Sequence, residues 1–150
     1  MLWLNGTNDF AYWPPIWQKS AAATAGPRQL CMKVRWPHGH IPAAEEVSEI
    51  ERFFRTHLMG LPPMSSISPP IVTGNLLTAT YASSQALRTA SLVLTVDEGP
   101  WPDRQWHLLP AEIHAFRLTV QAILPERTKA AYFSLVSVDW LYTTSDLVFW

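Results

Sequence analysis

Near the start of this sequence, an acid and two histidines have the types and spacing for acid–base chemistry. Asp9 stands three residues after Gly6, which breaks the apolar run Leu2-Trp3-Leu4. His38 and His40 flank Gly39 just after a second apolar run, Leu30 to Trp36. A carboxylate hydrogen-bonded to one imidazole nitrogen fixes the tautomer and stabilises the imidazolium, which leaves the other nitrogen to act as a general base. The elements that must position these groups read strand, helix, strand. Two such strands joined by a helical crossover are expected to be parallel. Both carboxyl ends then lie on one edge of the sheet, which brings Asp9 and the histidine loop together.

Other uses of the same residues stand beside this one. Asp9 could simply close its turn, as short polar side chains do. His38 and His40 could be a metal pair, with a third ligand from Asp9, His57 or a glutamate; two ligands alone do not make a site. His57 falls near a helix C-terminus, where a histidine complements the dipole.

Asn5-Gly6-Thr7-Asn8-Asp9-Phe10-Ala11-Tyr12 and Pro37-His38-Gly39-His40 resemble the acid and base motifs of α/β-hydrolases, in that family's chain order of acid before base. More narrowly, they resemble bacterial acetylxylan esterases and acylaminoacyl-peptidase-like hydrolases, in which a β-rich domain follows the hydrolase fold. The resemblance spans Leu2 to about Leu61. It implies hydrolysis of an ester or acyl-peptide bond through an acyl-enzyme, with Asp9 as orienting acid and His40 as general base, and with His38 as the fallback. No Gly-x-Ser-x-Gly elbow occurs in the sequence. The expectation is therefore a C-terminal segment of a serine hydrolase, inactive alone, that begins inside a late strand. Its partner would be the missing N-terminal half or a second copy. The resemblance implies export of the whole enzyme, but no targeting region is present and the compartment is left open.

Composition narrows the classes. Hydrophobic residues make up 48% and charged residues 15%, which fits a packed chain rather than a disordered one. A net charge of −1 excludes the electrostatic footprint of a nucleic-acid binder. No run reaches the roughly 18 apolar residues of a membrane span. No phosphate loop, dinucleotide fingerprint or CxxC motif is present, so neither cofactor nor metal is expected. The single cysteine, Cys31, falls in a buried-type strand and reads as a core residue.

Punctuation and periodicity supply the remaining elements. Ile16 to Ala25 is expected to be helical, with Gly26-Pro27 as its stop. A second helix opens at Pro42, and Gly60 ends it. Its stripe Val47, Ile50, Phe53, Phe54 and Leu58 is expected to pack on a sheet. Residues 64–70 read as a linker. Beyond them the period changes to two, with strands expected at 76–81, 90–96, 116–124, 132–138 and 147–150, and a turn at 141–146. The fold class expected is an α/β remnant over 1–63 followed, over 71–150, by an all-β sandwich of immunoglobulin or fibronectin type. The run from Trp101 to Trp106 offers a ligand site, in which Trp101, Arg104 and Trp106 would face a sugar ring. The bland alternative there is a packed loop with the guanidinium on an indole. A non-catalytic binding module built on the sandwich is the second functional expectation.

Overall fold

Leu2–Gly6 (β1) and Gln29–Lys33 (β2) form a parallel pair in which Leu4 faces Cys31 and Gly6 faces Lys33. In the computed structural model, which describes residues 1–36, 38–39 and 47–150, the crossover between them is the helix Pro14–Ala22 (α1). Its prolines stand at the first turn, where a missing N–H leaves no intrahelical bond unmade. Gly26, at φ 84°, turns the chain back toward β2. One face of α1 buries Trp17 and Ala21. A second helix, Ser48–Met59 (α2), ends at Gly60 in the left-handed region.

The rest of the described chain is β-structure. One sheet runs Tyr142–Thr144 (β11), Ala130–Ser137 (β10), Leu87–Thr95 (β6) and His107–Pro110 (β7), with Val148–Phe149 (β12) also pairing β10. The other runs Ser66–Ile67 (β3), Leu76–Ala82 (β5), Thr119–Ile123 (β9) and Glu112–His114 (β8), with Ile71–Thr73 (β4) also on β5. Their inner faces meet in a core of Leu77, Tyr81, Leu92, Val120, Phe133 and Leu135. Alternate residues of β6 and β10 point the other way. Val93 and Tyr132 join Trp17, Leu30, Met32 and Trp106 in a second core, so the first thirty-odd residues pack on the outer face of the sandwich. This explains why β10 is buried along its whole length. Tyr132 crosses that interface, donating its hydroxyl to Met32 O at 3.2 Å.

The expected fold class needs correction. Among the described residues the structure is mostly β, 39% strand against 17% helix, in three sheets, with little of the helix content of an α/β-hydrolase; the sandwich part of the expectation fits in part. The physical reason lies in what covers each apolar face. The parallel sheet has two strands, and residues of the sandwich complete its core. Val47, at the head of the α2 stripe, is buried, but the stripe does not seat on a sheet along its length: Phe54 is 57% and Leu58 79% exposed. Instead the helix is anchored through Glu49, which is 1% exposed and accepts from Lys33 Nζ and the Tyr142 N–H, each at 2.9 Å. Arg52 adds an ion pair to Asp139 at 2.5 Å.

Strand details also shift. The alternation over 116–124 contains a reversal: β8 and β9 form a hairpin whose turn carries Phe116, fully exposed, and Leu118 at φ 51°. Tyr142–Thr144, expected in a turn, forms β11 against β10. Ser66–Ile67, within the expected linker, pairs with Ala82 and Tyr81. No helix among the described residues is long and apolar enough to cross a membrane.

Candidate functional site

The acid loop is built by short polar residues where β1 runs out. Gly6 is required there, since a Cβ would lie 2.1 Å from the Trp36 carbonyl oxygen. This close approach holds the start of the acid loop against the segment leading to His38. The Thr7 N–H donates to Lys33 O at 3.0 Å, and the Thr7 hydroxyl accepts from the Arg35 N–H at 3.0 Å. Asn5 Nδ2 donates to Tyr12 O at 2.7 Å and closes the loop on itself. Asn8 Nδ2 donates to Pro102 O and Arg104 O, at 2.7 and 2.8 Å, and ties the loop to the sandwich.

Within this frame the Asp9 carboxylate is 7% exposed and fully engaged. Oδ1 accepts the N–H groups of Ala11 and Tyr12, both at 2.8 Å. Oδ2 lies 2.8 Å from Nδ1 of His38. Burial opposes the charge on Asp9, but the hydrogen bonds from Tyr12, His38 and Ala11, with the imidazole's own charge, outweigh it and hold the carboxyl below its ordinary value. An ionised carboxylate only accepts, so Nδ1 carries the proton and Nε2 is the basic nitrogen of the neutral ring. The ring is about a third exposed and is bracketed by Phe10, edge-on at 4.8 Å, and Tyr12 at 5.8 Å.

Of the two histidines that share the loop, His38 therefore sits on Asp9; His40, the first choice for the base, lies outside the described residues. His57 bonds back within its own helix, Nδ1 donating to Phe53 O at 2.8 Å, beside a mainly apolar pocket of about 380 Å³ that contains neither Asp9 nor His38. Among the described residues, no three His, Cys, Asp or Glu side chains gather as a metal site would need. The Trp101–Trp106 loop packs inward. Trp106 is 5% exposed, Trp101 stacks against it at 6.3 Å, and the Arg104 guanidinium lies 3.7 Å from the Trp101 ring centre. A sugar platform needs an open indole face, and this arrangement leaves little of either ring for one.

No protein family, curated protein or solved structure matches the chain. Function must be read from the geometry.

The geometry gives an oriented imidazole with a buried anionic partner, an arrangement able to act as a general base. Among the described residues no hydroxyl or thiol hydrogen-bonds to that ring. Cys31 is fully buried, and burial first, then Glu49, push its thiol well above the ordinary value, which makes it inert. Thr7, Asn5 and Asn8, which hold the acid loop in place, went unread as supports in the sequence. Their signal is a cluster of short polar side chains directly after a strand, a pattern suited to side-chain-to-backbone bonding.

Proposed function

We propose that this chain supplies the acid and the general base of a serine-type hydrolase acting on ester or acyl-peptide bonds. Asp9 orients the imidazole and His38 is the base. The nucleophile and oxyanion donors belong to polypeptide outside these 150 residues. The single observation that carries the reading is the 2.8 Å contact of His38 Nδ1 with an Asp9 carboxylate whose other oxygen is held by two backbone N–H groups. A turn-closing aspartate needs only the latter. Cover by another polypeptide is supported by the aromatic side chains left exposed against the His38 ring, Phe10 and Tyr12, at 68% and 60%.

The mechanism follows from tautomer control. With the proton fixed on Nδ1, Nε2 takes the proton of the attacking hydroxyl and later gives it to the leaving group, while Asp9 stabilises the imidazolium in between.

The test is fluorophosphonate labelling of the native polypeptide that contains these residues, isolated from its source with an antibody to residues 71–150. The probe is expected to label a serine outside residues 1–150, with Asp9→Asn and His38→Ala each slowing labelling roughly 10³-fold or more. The isolated 150 residues are expected not to turn over p-nitrophenyl acetate. A native polypeptide without a labelled serine on itself or on a co-purifying chain sinks the reading.

A further inference from the structure

Beside the acid loop lies an open cleft of about 470 Å³ lined by Asn8, Arg35, Trp36, Asp103, Arg104 and Gln105. It is distinct from the acid–imidazole pair but shares its walls: Asn8 precedes Asp9, and Trp36 precedes the histidine loop. Its charge comes from two arginines. Arg35 donates to the Gln105 side-chain oxygen, and Arg104 Nε donates to Gly99 O at 2.8 Å while its plane rests on Trp101. Neither guanidinium forms an ion pair among the described residues, although most other cations there do. The nearby acids are occupied or peripheral. Asp97 accepts the Gln105 N–H at 2.6 Å, Glu98 pairs with Lys129, and Asp103 stands on the cleft wall.

Arg35 is also held in an unusual conformation. Its φ is 54°, in the left-handed region that a residue with a side chain rarely adopts. Its N–H is fixed there by Thr7, within the acid loop itself. Nothing in the packing of Arg35 demands an arginine, since the side chain is exposed.

We propose that this cleft is a subsite for a carboxylate on the substrate, bound by Arg35 and Arg104, with Gln105 setting the position of the Arg35 fork. The assignment rests on the hydrolase reading for the meaning of "substrate", and it names the class: acidic esters or acyl-peptides. Planar guanidinium forks match a carboxylate in two-point contact. Asp103 on the wall, with Asp97 and Glu98 near Arg104, holds down the positive charge of the two arginines, which suits a monoanion better than a phosphate dianion.

Binding is measured on the chain itself, by NMR of the arginine Nε–H signals during titration with N-acetyl-aspartate, N-acetyl-asparagine and inorganic phosphate at constant ionic strength. N-acetyl-aspartate is expected to shift the Arg35 and Arg104 signals saturably and N-acetyl-asparagine to leave them unmoved. Arg35→Gly, which suits the left-handed backbone and so preserves the fold, and Arg104→Met, which keeps an apolar side chain on Trp101, are each expected to weaken binding about tenfold, as loss of a charge-assisted contact does. No saturable shift, or unchanged affinity in both single variants, each read on the arginine that remains, overturns the subsite. Phosphate binding as tight as the carboxylate overturns the ligand class. The readout needs no turnover, so its failure leaves the labelling result above untouched, and a failed labelling experiment does not remove a measured carboxylate site.

Discussion

Nδ1 of His38 lies 2.8 Å from Oδ2 of Asp9, and the other carboxylate oxygen is fixed by the N–H groups of Ala11 and Tyr12. Three donors on one carboxylate restrict its rotation, so the imidazole it carries is restricted too. A low-field Nδ1–H resonance is expected from His38, as for other imidazoles bound to a buried carboxylate, and it should vanish in Asp9→Asn. Its survival in that variant would mean that another acceptor holds the ring.

The approach of the acid loop to the second strand's end depends on Gly6. A methyl group there would meet the Trp36 carbonyl at 2.1 Å, a contact that only backbone movement can relieve. Gly6→Ala is expected to lower stability by about 1–3 kcal/mol, within the range for overpacking, and to abolish the His38 signal even if the sandwich stays folded. Denaturant melts together with the same NMR experiment separate local from global damage.

How far the site is legible in the sequence differs from residue to residue. Asp9 announces itself by type and by its place after Gly6. The choice between His38 and His40 is not legible, because two residues of the same type, two apart in a loop, carry no periodic signal about which ring turns inward. The sandwich strands show as alternation. Yet alternation alone cannot reveal the reversal at Ala115–Leu118, since a hairpin turn with an exposed Phe116 keeps the apolar spacing intact. Glu49 illustrates a different limit. In the sequence it is one more acid within a helix expected to open at Pro42, with no sign of burial; only the placement of Lys33 and Tyr142 beside it makes it a buried anchor. The tie from Asn8 to residues 102 and 104 is likewise a product of tertiary packing.

Acid should loosen this protein through two carboxylates. Burial raises Asp9 and Asp139, but hydrogen bonds outweigh it: Tyr12, His38 and Ala11 for Asp9, Ser137 and Arg52 for Asp139, so both are lowered from the ordinary 3.8. A depressed folded value means that the unfolded chain takes up the proton first as pH falls. The stabilisation is complete above the ordinary value and is lost as pH falls through it and then through the depressed folded values. Melting temperature is expected to drop across that window, and Asp9→Asn and Asp139→Asn should each flatten the slope. An unchanged slope in both variants would assign the acid sensitivity elsewhere.

Glu49 and Cys31 give a last, paired prediction, because both lie where the first segment meets the sandwich and α2. The Glu49 carboxylate bridges Lys33 Nζ and the Tyr142 N–H, so its removal strands a backbone donor and a partly buried ammonium together. Glu49→Ala is expected to cost about 2–3 kcal/mol, the range for hydrogen bonds to a charged group, whereas Glu49→Gln retains an acceptor for Tyr142 and should cost less. Cys31, on β2 close by, reports whether that loss is local. Its thiol is fully buried and held protonated by burial and by Glu49, so in the native protein it should resist a thiol reagent at pH 8. If the Glu49→Ala variant labels at Cys31 at denaturant concentrations that leave the sandwich folded, the first segment detaches as its own unit. If labelling appears only with global unfolding, the second core makes the segment and the sandwich one cooperative structure, as the full burial of Tyr132 between them implies.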